Sequence, residues 1–124
     1  MSASVIDIRP DPVVALVPTA LGGVLAVVGE HDISTVDALT RDLSLLTERG
    51  GRCPVVDLSG VTFMDASIVS LLIRTNRDLL SESRVLVVRA PSPSARRLLE
   101  LCEQISPLGL CIEPCGQCAD SGAA

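Results

Sequence analysis

Three groups of side chains in this sequence have types and spacings that could do chemistry. The first is a run of thiols, Cys111-x3-Cys115-x2-Cys118, spaced as ligands for zinc or an iron–sulfur cluster would be. The second is Glu30-His31-Asp32, in which the only histidine of the chain could serve as a general base near neutral pH. The third begins at Asp65-Ala66-Ser67. At 100° per residue, Ser67, Ser70, Arg74, Arg77, Asp78 and Ser81 fall within about 100° of arc, and Ile68, Leu71, Leu72, Thr75 and Leu79 occupy the adjoining one. Ser67 therefore heads a polar, solvent-facing stripe, close to the unpaired N–H groups and positive end of a helix. Its hydroxyl has two readings. It caps or begins the helix, as serine often does, or it accepts a phosphate that adds about −1.5 to −2 charges, suits the helix terminus and is repelled by Asp65.

The thiols and the histidine carry less. Five cysteines, an odd number, do not make the disulfide framework of a small secreted domain, so reduced thiols are expected. A zinc site on Cys111, Cys115 and Cys118 would need Cys102, Cys53 or His31 as a fourth ligand, and no second closely spaced pair supports it. We therefore expect incidental thiols on a tail, with no metal and no cofactor. His31 has no nucleophile beside it and reads as a loop residue leading from the second strand into the first helix. The chain contains no Lys and hence no phosphate loop, and it has no G-x-G-x-x-G, G-x-S-x-G or H-E-x-x-H motif, so the expected domain is not an enzyme.

Composition narrows the remaining classes. At 124 residues the chain fits one domain. Hydrophobic residues make up 48%, yet Phe63 is the sole aromatic, so the core is built from Val, Leu, Ile and Ala, and base stacking on aromatic rings is excluded. Ten cationic residues against fifteen acidic ones give a net charge of −5, the wrong sign for a nucleic-acid binder. The uncharged run Val13 to Gly29 sits at the lower length limit for a membrane-spanning helix, but Pro18 and Gly22-Gly23 interrupt it. Asp7 and Asp11 flank Arg9 where an export signal needs positive charge. No membrane insertion and a cytoplasmic location follow as expectations.

These residues need elements to position them. Residues 1–12 read as a leader, 13–112 as one domain, and 113–124 as a Cys-containing flexible tail. Val13 to Val17 and Val24 to Val28 suggest a hairpin. Ser34 suits the cap of a first helix that Gly50-Gly51 ends, with Asp37 three residues on. Val55 to Leu58 reads as a buried strand that Ser59-Gly60 turns. A second helix spans about Ser67 to Ser81, a strand Val85 to Val88, a third helix opens at Ser92-Pro93, and a last strand spans Leu108 to Ile112. The order ββαβαβαβ predicts an α/β domain, a mixed β-sheet of about five strands flanked by helices.

The stretch Val56-Asp-Leu-Ser-Gly-Val-Thr-Phe-Met-Asp-Ala-Ser67 resembles the central motif of the anti-sigma factor antagonists, which share the STAS domain with the cytoplasmic end of sulfate transporters. Gly29-Glu30-His31-Asp32 and Pro91-Ser-Pro-Ser-Ala-Arg-Arg-Leu-Leu-Glu-Leu101 agree with it, in the right order, over roughly residues 13–112. The resemblance implies a mixed sheet flanked by helices and no catalysis. It also implies a partner, an anti-sigma factor with serine kinase activity, whose phosphorylation of the antagonist ends their association, and a phosphatase that restores the binding form. The acceptor position falls on Ser67, and Asp32 and Asp65 match acidic positions near it. The surface expected to dock is Asp32, Asp65, Ser67, Ser70, Arg74 and Asp78. The alternative is an unphosphorylated STAS module for scaffolding or ligand binding in a transporter or signalling assembly.

Overall fold

The computed structural model describes residues 14–17, 23–49 and 51–113. The leader 1–12, the hairpin turn and the tail beyond Glu113, with Cys115 and Cys118, lie outside them. The elements are β1 (Val14–Val17), β2 (Val24–His31), a single 3-10 turn (Ile33–Thr35), α1 (Val36–Glu48), β3 (Val55–Met64), α2 (Ala66–Leu80), β4 (Val87–Arg89), α3 (Pro93–Ile105) and β5 (Cys111–Glu113). The sheet order is β1-β2-β3-β4-β5. Four strands, β2 to β5, form its parallel body, and β1 pairs antiparallel along the β2 edge. The sheet is thus mixed, and its parallel body has four strands rather than five.

Each helix connects two neighbouring parallel strands, so right-handed crossovers bring all three to one face. There Leu39, Leu43 and Leu46 of α1, Ile68, Leu71 and Leu72 of α2, and Ala95 and Leu99 of α3 share one core with Leu25, Val27, Val56, Leu58 and Val88 of the sheet. Aliphatic side chains fill it, as the near absence of aromatic residues requires. The register sets Val24, Val55, Val87 and Cys111 in one row and Ala26, Asp57, Arg89 and Glu113 in the next, and none of these belongs to that core. Within the second row Arg89 Nη2 lies 3.4 Å from Asp57 Oδ2.

Several boundaries differ from the sequence expectation, each for a local reason. Ser59-Gly60 does not turn the chain. β3 continues for ten residues, with register shifts against β2 between Ala26 and Val28 and between Gly29 and Glu30. A Cβ on Gly60 would stand 2.8 Å from Val28 Cγ2, so the glycine marks a close approach of two strands. A 3-10 turn precedes α1, so Asp32, not Ser34, caps that turn, and Thr35 holds the cap position of the helix. Likewise α2 begins at Ala66 with Asp65 as its cap, one residue earlier than expected. β4 starts two residues later than expected and β5 three. Ser92 and Pro93 act as expected: the Ser92 side chain accepts from the Ala95 N–H at 3.2 Å, and Pro93 takes the first helical position.

Asn76 ties the inner face of α2 to the far half of the fold. Its side chain is buried, donates to the Gly109 carbonyl at 3.0 Å and accepts from the Leu86 N–H at 3.0 Å. Asn76→Ala orphans both main-chain partners at about 1–3 kcal/mol each. Urea unfolding of that variant should show about 2–4 kcal/mol less stability. A loss under about 1 kcal/mol would show that other donors replace the amide.

Candidate functional site

Parallel strands leave their sheet at the same edge, and here the ends of β2 and β3 coincide. His31 pairs in register with Met64, and the Asp65 N–H donates to the His31 carbonyl at 3.2 Å, carrying the ladder one residue into the turns. The residues that follow, Asp32 and Asp65, are both extended and both cap what comes next. His31 itself is the last residue of β2 and is 2% exposed, which corrects its expected place in a loop.

The two caps repeat one local arrangement. Asp32 Oδ1 accepts from the Ser34 N–H at 2.9 Å and from the Ser34 hydroxyl at 2.5 Å. Asp65 Oδ1 accepts from the Ser67 N–H at 3.0 Å and also from the Ser67 hydroxyl. The pattern Asp-x-Ser satisfies two donors with one carboxylate at each element start. Beyond that the turns diverge. Thr35 completes a capping box with Asp32 over three residues of 3-10 helix, whereas Asp65 heads the fifteen residues of α2 with their larger dipole. The hydrogen bond from the Ser34 hydroxyl, then that from its N–H, holds the Asp32 carboxyl below its ordinary value of 3.8; slight burial opposes this and the His31 charge adds to it.

Ser67 is half-buried, in the second position of α2, and reachable from solvent. Its proton points at the Asp65 carboxylate, so the lone pairs of its oxygen are left for an incoming electrophile and the carboxylate can take the proton as a bond forms. A phosphate on that oxygen would remove the donor and set two anions where the hydrogen bond was. Neither Asp65 nor Ser67 has an arginine partner among the described residues. The nearest arginine on α2, Arg74, stands seven residues along, about 10 Å of helix rise away. Ala66 before the serine is exposed, while Ile68 after it is 1% exposed and packs inward, away from any approaching group.

The rest of the expected stripe is exposed: Ser70, Arg74, Arg77, Asp78 and Ser81. Its apolar counterpart is buried at Ile68, Leu71, Leu72 and Leu79 and half-buried at Thr75. Arg74 and Asp78 also form one wall of a groove whose other wall is Asp37, Thr40, Ser44 and Glu48 of α1. Asp32, Asp65 and Ser67 thus meet at the strand ends, while Ser70, Arg74 and Asp78 extend from them along α2. Two neighbours escaped the sequence reading: Ile33, 72% exposed beside Asp32, and Phe63, 49% exposed before Met64. The lone aromatic, placed two residues before Asp65 and four before Ser67, was the available signal for the second. No group of three or more His, Cys, Asp or Glu side chains among the described residues could hold a metal; Cys111 lies in β5, and Cys115 and Cys118 lie outside the described residues.

Residues 18–103 match the family described as "Mlab, STAS domain". The chain belongs to the STAS domain family. No curated protein matches the chain. Solved structures share its fold. An anti-sigma factor antagonist from Mycobacterium paratuberculosis is 23% identical, with 94% of this chain and 97% of that one covered and a TM-score of 0.74. The anti-sigma factor antagonist SpoIIAA in its unphosphorylated form is 22% identical, covering 89% and 95%, with a TM-score of 0.68. The Bacillus cell fate determinant SpoIIAA in the phosphorylated form is 22% identical, covering 90% and 99%, with a TM-score of 0.64. Among the described residues of this STAS domain, no helix is long and apolar enough to cross a membrane.

The caps of the STAS domain make two outcomes measurable. Asp65→Ala should lower stability by about 1 kcal/mol, and Ser67→Ala by less, because the Ser67 N–H stays capped. Equal losses would mean that the hydroxyl, rather than the N–H, carries the cap. Asp32, whose folded carboxyl titrates below its unfolded value, stabilises the fold above the unfolded value and loses that contribution as pH falls through the folded one. A carbon-detected carboxyl titration should place Asp32 below 3.8 and move it upward in Ser34→Ala. A wild-type midpoint at or above 3.8 would contradict the hydrogen-bond assignment.

Proposed function

We propose that this STAS domain is an anti-sigma factor antagonist: it binds an anti-sigma factor that is also a serine kinase, so freeing a sigma factor for transcription, and phosphorylation of Ser67 by that kinase ends the association. What carries the reading is the Ser67 hydroxyl, solvent-reachable and bonded to Asp65 where the ends of β2 and β3 meet α2. The likeness of fold to solved antagonists, one of them in a phosphorylated form, supports it. The docking surface is Ser67, Ser70, Arg74 and Asp78, a stripe about 16 Å long by helix rise, joined at its head by Asp32 and Asp65. Ile33 and Phe63 supply apolar area at its edge, and the charged side chains set register.

The switch is electrostatic. A phosphate covered by a partner beside Asp65, with no arginine among the described residues to pair it, is an uncompensated buried charge costing several kcal/mol. Each step of about 1.4 kcal/mol weakens binding tenfold. The domain itself catalyses nothing, needs no metal or cofactor, acts in the cytoplasm, and is returned to its binding form by a phosphatase.

Incubation with ATP and the anti-sigma factor kinase of the same genome should add one phosphate, at Ser67, by mass spectrometry. Ser67→Asp should bind that partner at least tenfold more weakly than Ser67→Ala. No phosphate and equal affinities would contradict the switch and favour the other reading, an unphosphorylated scaffolding or ligand-binding module in which the Ser67 hydroxyl serves only the helix cap.

A further inference from the structure

The buried imidazole of His31 is used by nothing described so far. Its Nε2 lies 3.2 Å from the Val28 carbonyl and its Nδ1 3.2 Å from the Thr35 hydroxyl. A carbonyl only accepts, so Nε2 carries a proton. The Thr35 oxygen also lies 3.0 Å from the Asp32 carbonyl, to which it donates, and it accepts from the Asp32 N–H at 3.2 Å. The hydroxyl has one proton. Beside a neutral ring it faces two acceptors, Nδ1 and the Asp32 carbonyl, and can serve only one. Beside an imidazolium, Nδ1–H donates to the second lone pair of Thr35, the hydroxyl donates to Asp32, and all four contacts carry a proton.

We propose that His31 is a proton-operated latch on the Asp32 turn: protonation gives the Asp32 carbonyl a second bond, from the Thr35 hydroxyl, and deprotonation draws that hydroxyl onto the ring and leaves the carbonyl with the Thr35 N–H alone, at 3.0 Å. The charged groups beside it in the chain are Glu30 and Asp32. At the head of α2 stands Asp65, whose N–H bonds to the His31 carbonyl; β3 sets the uncharged Met64 opposite, and the 3-10 turn sets Thr35. The imidazolium charge also favours the Asp32 carboxylate. The ring state is therefore felt at both caps, one residue away in the chain and one hydrogen bond away across the sheet. The consequence for partner binding rests on the docking surface proposed above, whereas the latch itself is a property of the isolated domain.

With a single histidine, nitrogen NMR of the ring reports the latch without ambiguity. In the wild type, the ring should titrate from an Nε2–H tautomer to the imidazolium, and the amides of Asp32, Ser34 and Thr35 should shift with the same midpoint. Thr35→Val keeps the ring and the shape of the turn; it should lower the proton affinity of the ring at least threefold and uncouple the Asp32 amide from it. A ring that does not titrate while the domain is folded, or one that titrates without moving Asp32 and Thr35, overturns the latch. Partner affinity measured on either side of the midpoint should change at least threefold in the wild type and not in Thr35→Val; an unchanged wild-type affinity overturns the claim that the latch acts on docking. Failure of any anti-sigma factor to bind at either pH would instead count against the docking reading, and the latch is then judged on the ring titration alone.

Discussion

The hydrogen bond from the Asp65 N–H to the His31 carbonyl is the constraint on which the site depends. It fixes the exits of β2 and β3 side by side, so the two turns that follow share one edge of the sheet. In a sheet of parallel strands that edge is where the chain leaves the ladder and main-chain groups come free for caps and partners. Two aspartates take those groups, and each then presents a serine hydroxyl two residues on. The chemistry of the surface is therefore a by-product of ending two parallel strands at the same level.

The core gives that edge its rigidity. α2 buries Ile68, Leu71, Leu72 and Leu79 against the sheet, and Asn76 bolts the same face to main-chain groups before β4 and β5. Arg84 closes the opposite end by donating to the Gly51 and Thr47 carbonyls. With its inner face held this way, α2 can leave its outer face polar, and the spacing between Ser67, Arg74 and Asp78 is set by helix geometry rather than by loops. The docking surface proposed for that outer face would lose little side-chain and loop freedom on binding. The role proposed for Ser67 uses that rigidity, because a charge added at one fixed point of a preformed surface has nowhere to relax.

The periodicity of α2 was readable from the sequence because a half-buried helix must separate its faces, and Ile68, Leu71, Leu72 and Leu79 do so. The α3 start was equally readable, since Ser92-Pro93 is a purely local signal. What escaped was decided by tertiary contact. Gly60 looked like a turn because glycine serves both turns and close strand approaches, and only the neighbouring Val28 distinguishes them. With β3 ending at Met64, its cap is the next residue, Asp65, and Ser67 becomes the donor to that cap instead of the cap itself. His31 sits between two acids in sequence, which suggests a surface loop; β2 runs through it and turns its ring into the protein. Asp32, Asp65, Ser67, Ser70, Arg74 and Asp78 were all named from sequence, but that the first three converge depends on a strand pairing no local pattern reveals.

The most direct test of the account is to map which amides of this domain are protected from exchange when the anti-sigma factor kinase binds. Protection concentrated at residues 32–34 and 65–78, lost when Ser67 carries a phosphate, is the predicted result. Protection confined to α3 or to the sheet face bearing Asp57 and Arg89, or a pattern indifferent to the phosphate, would contradict it.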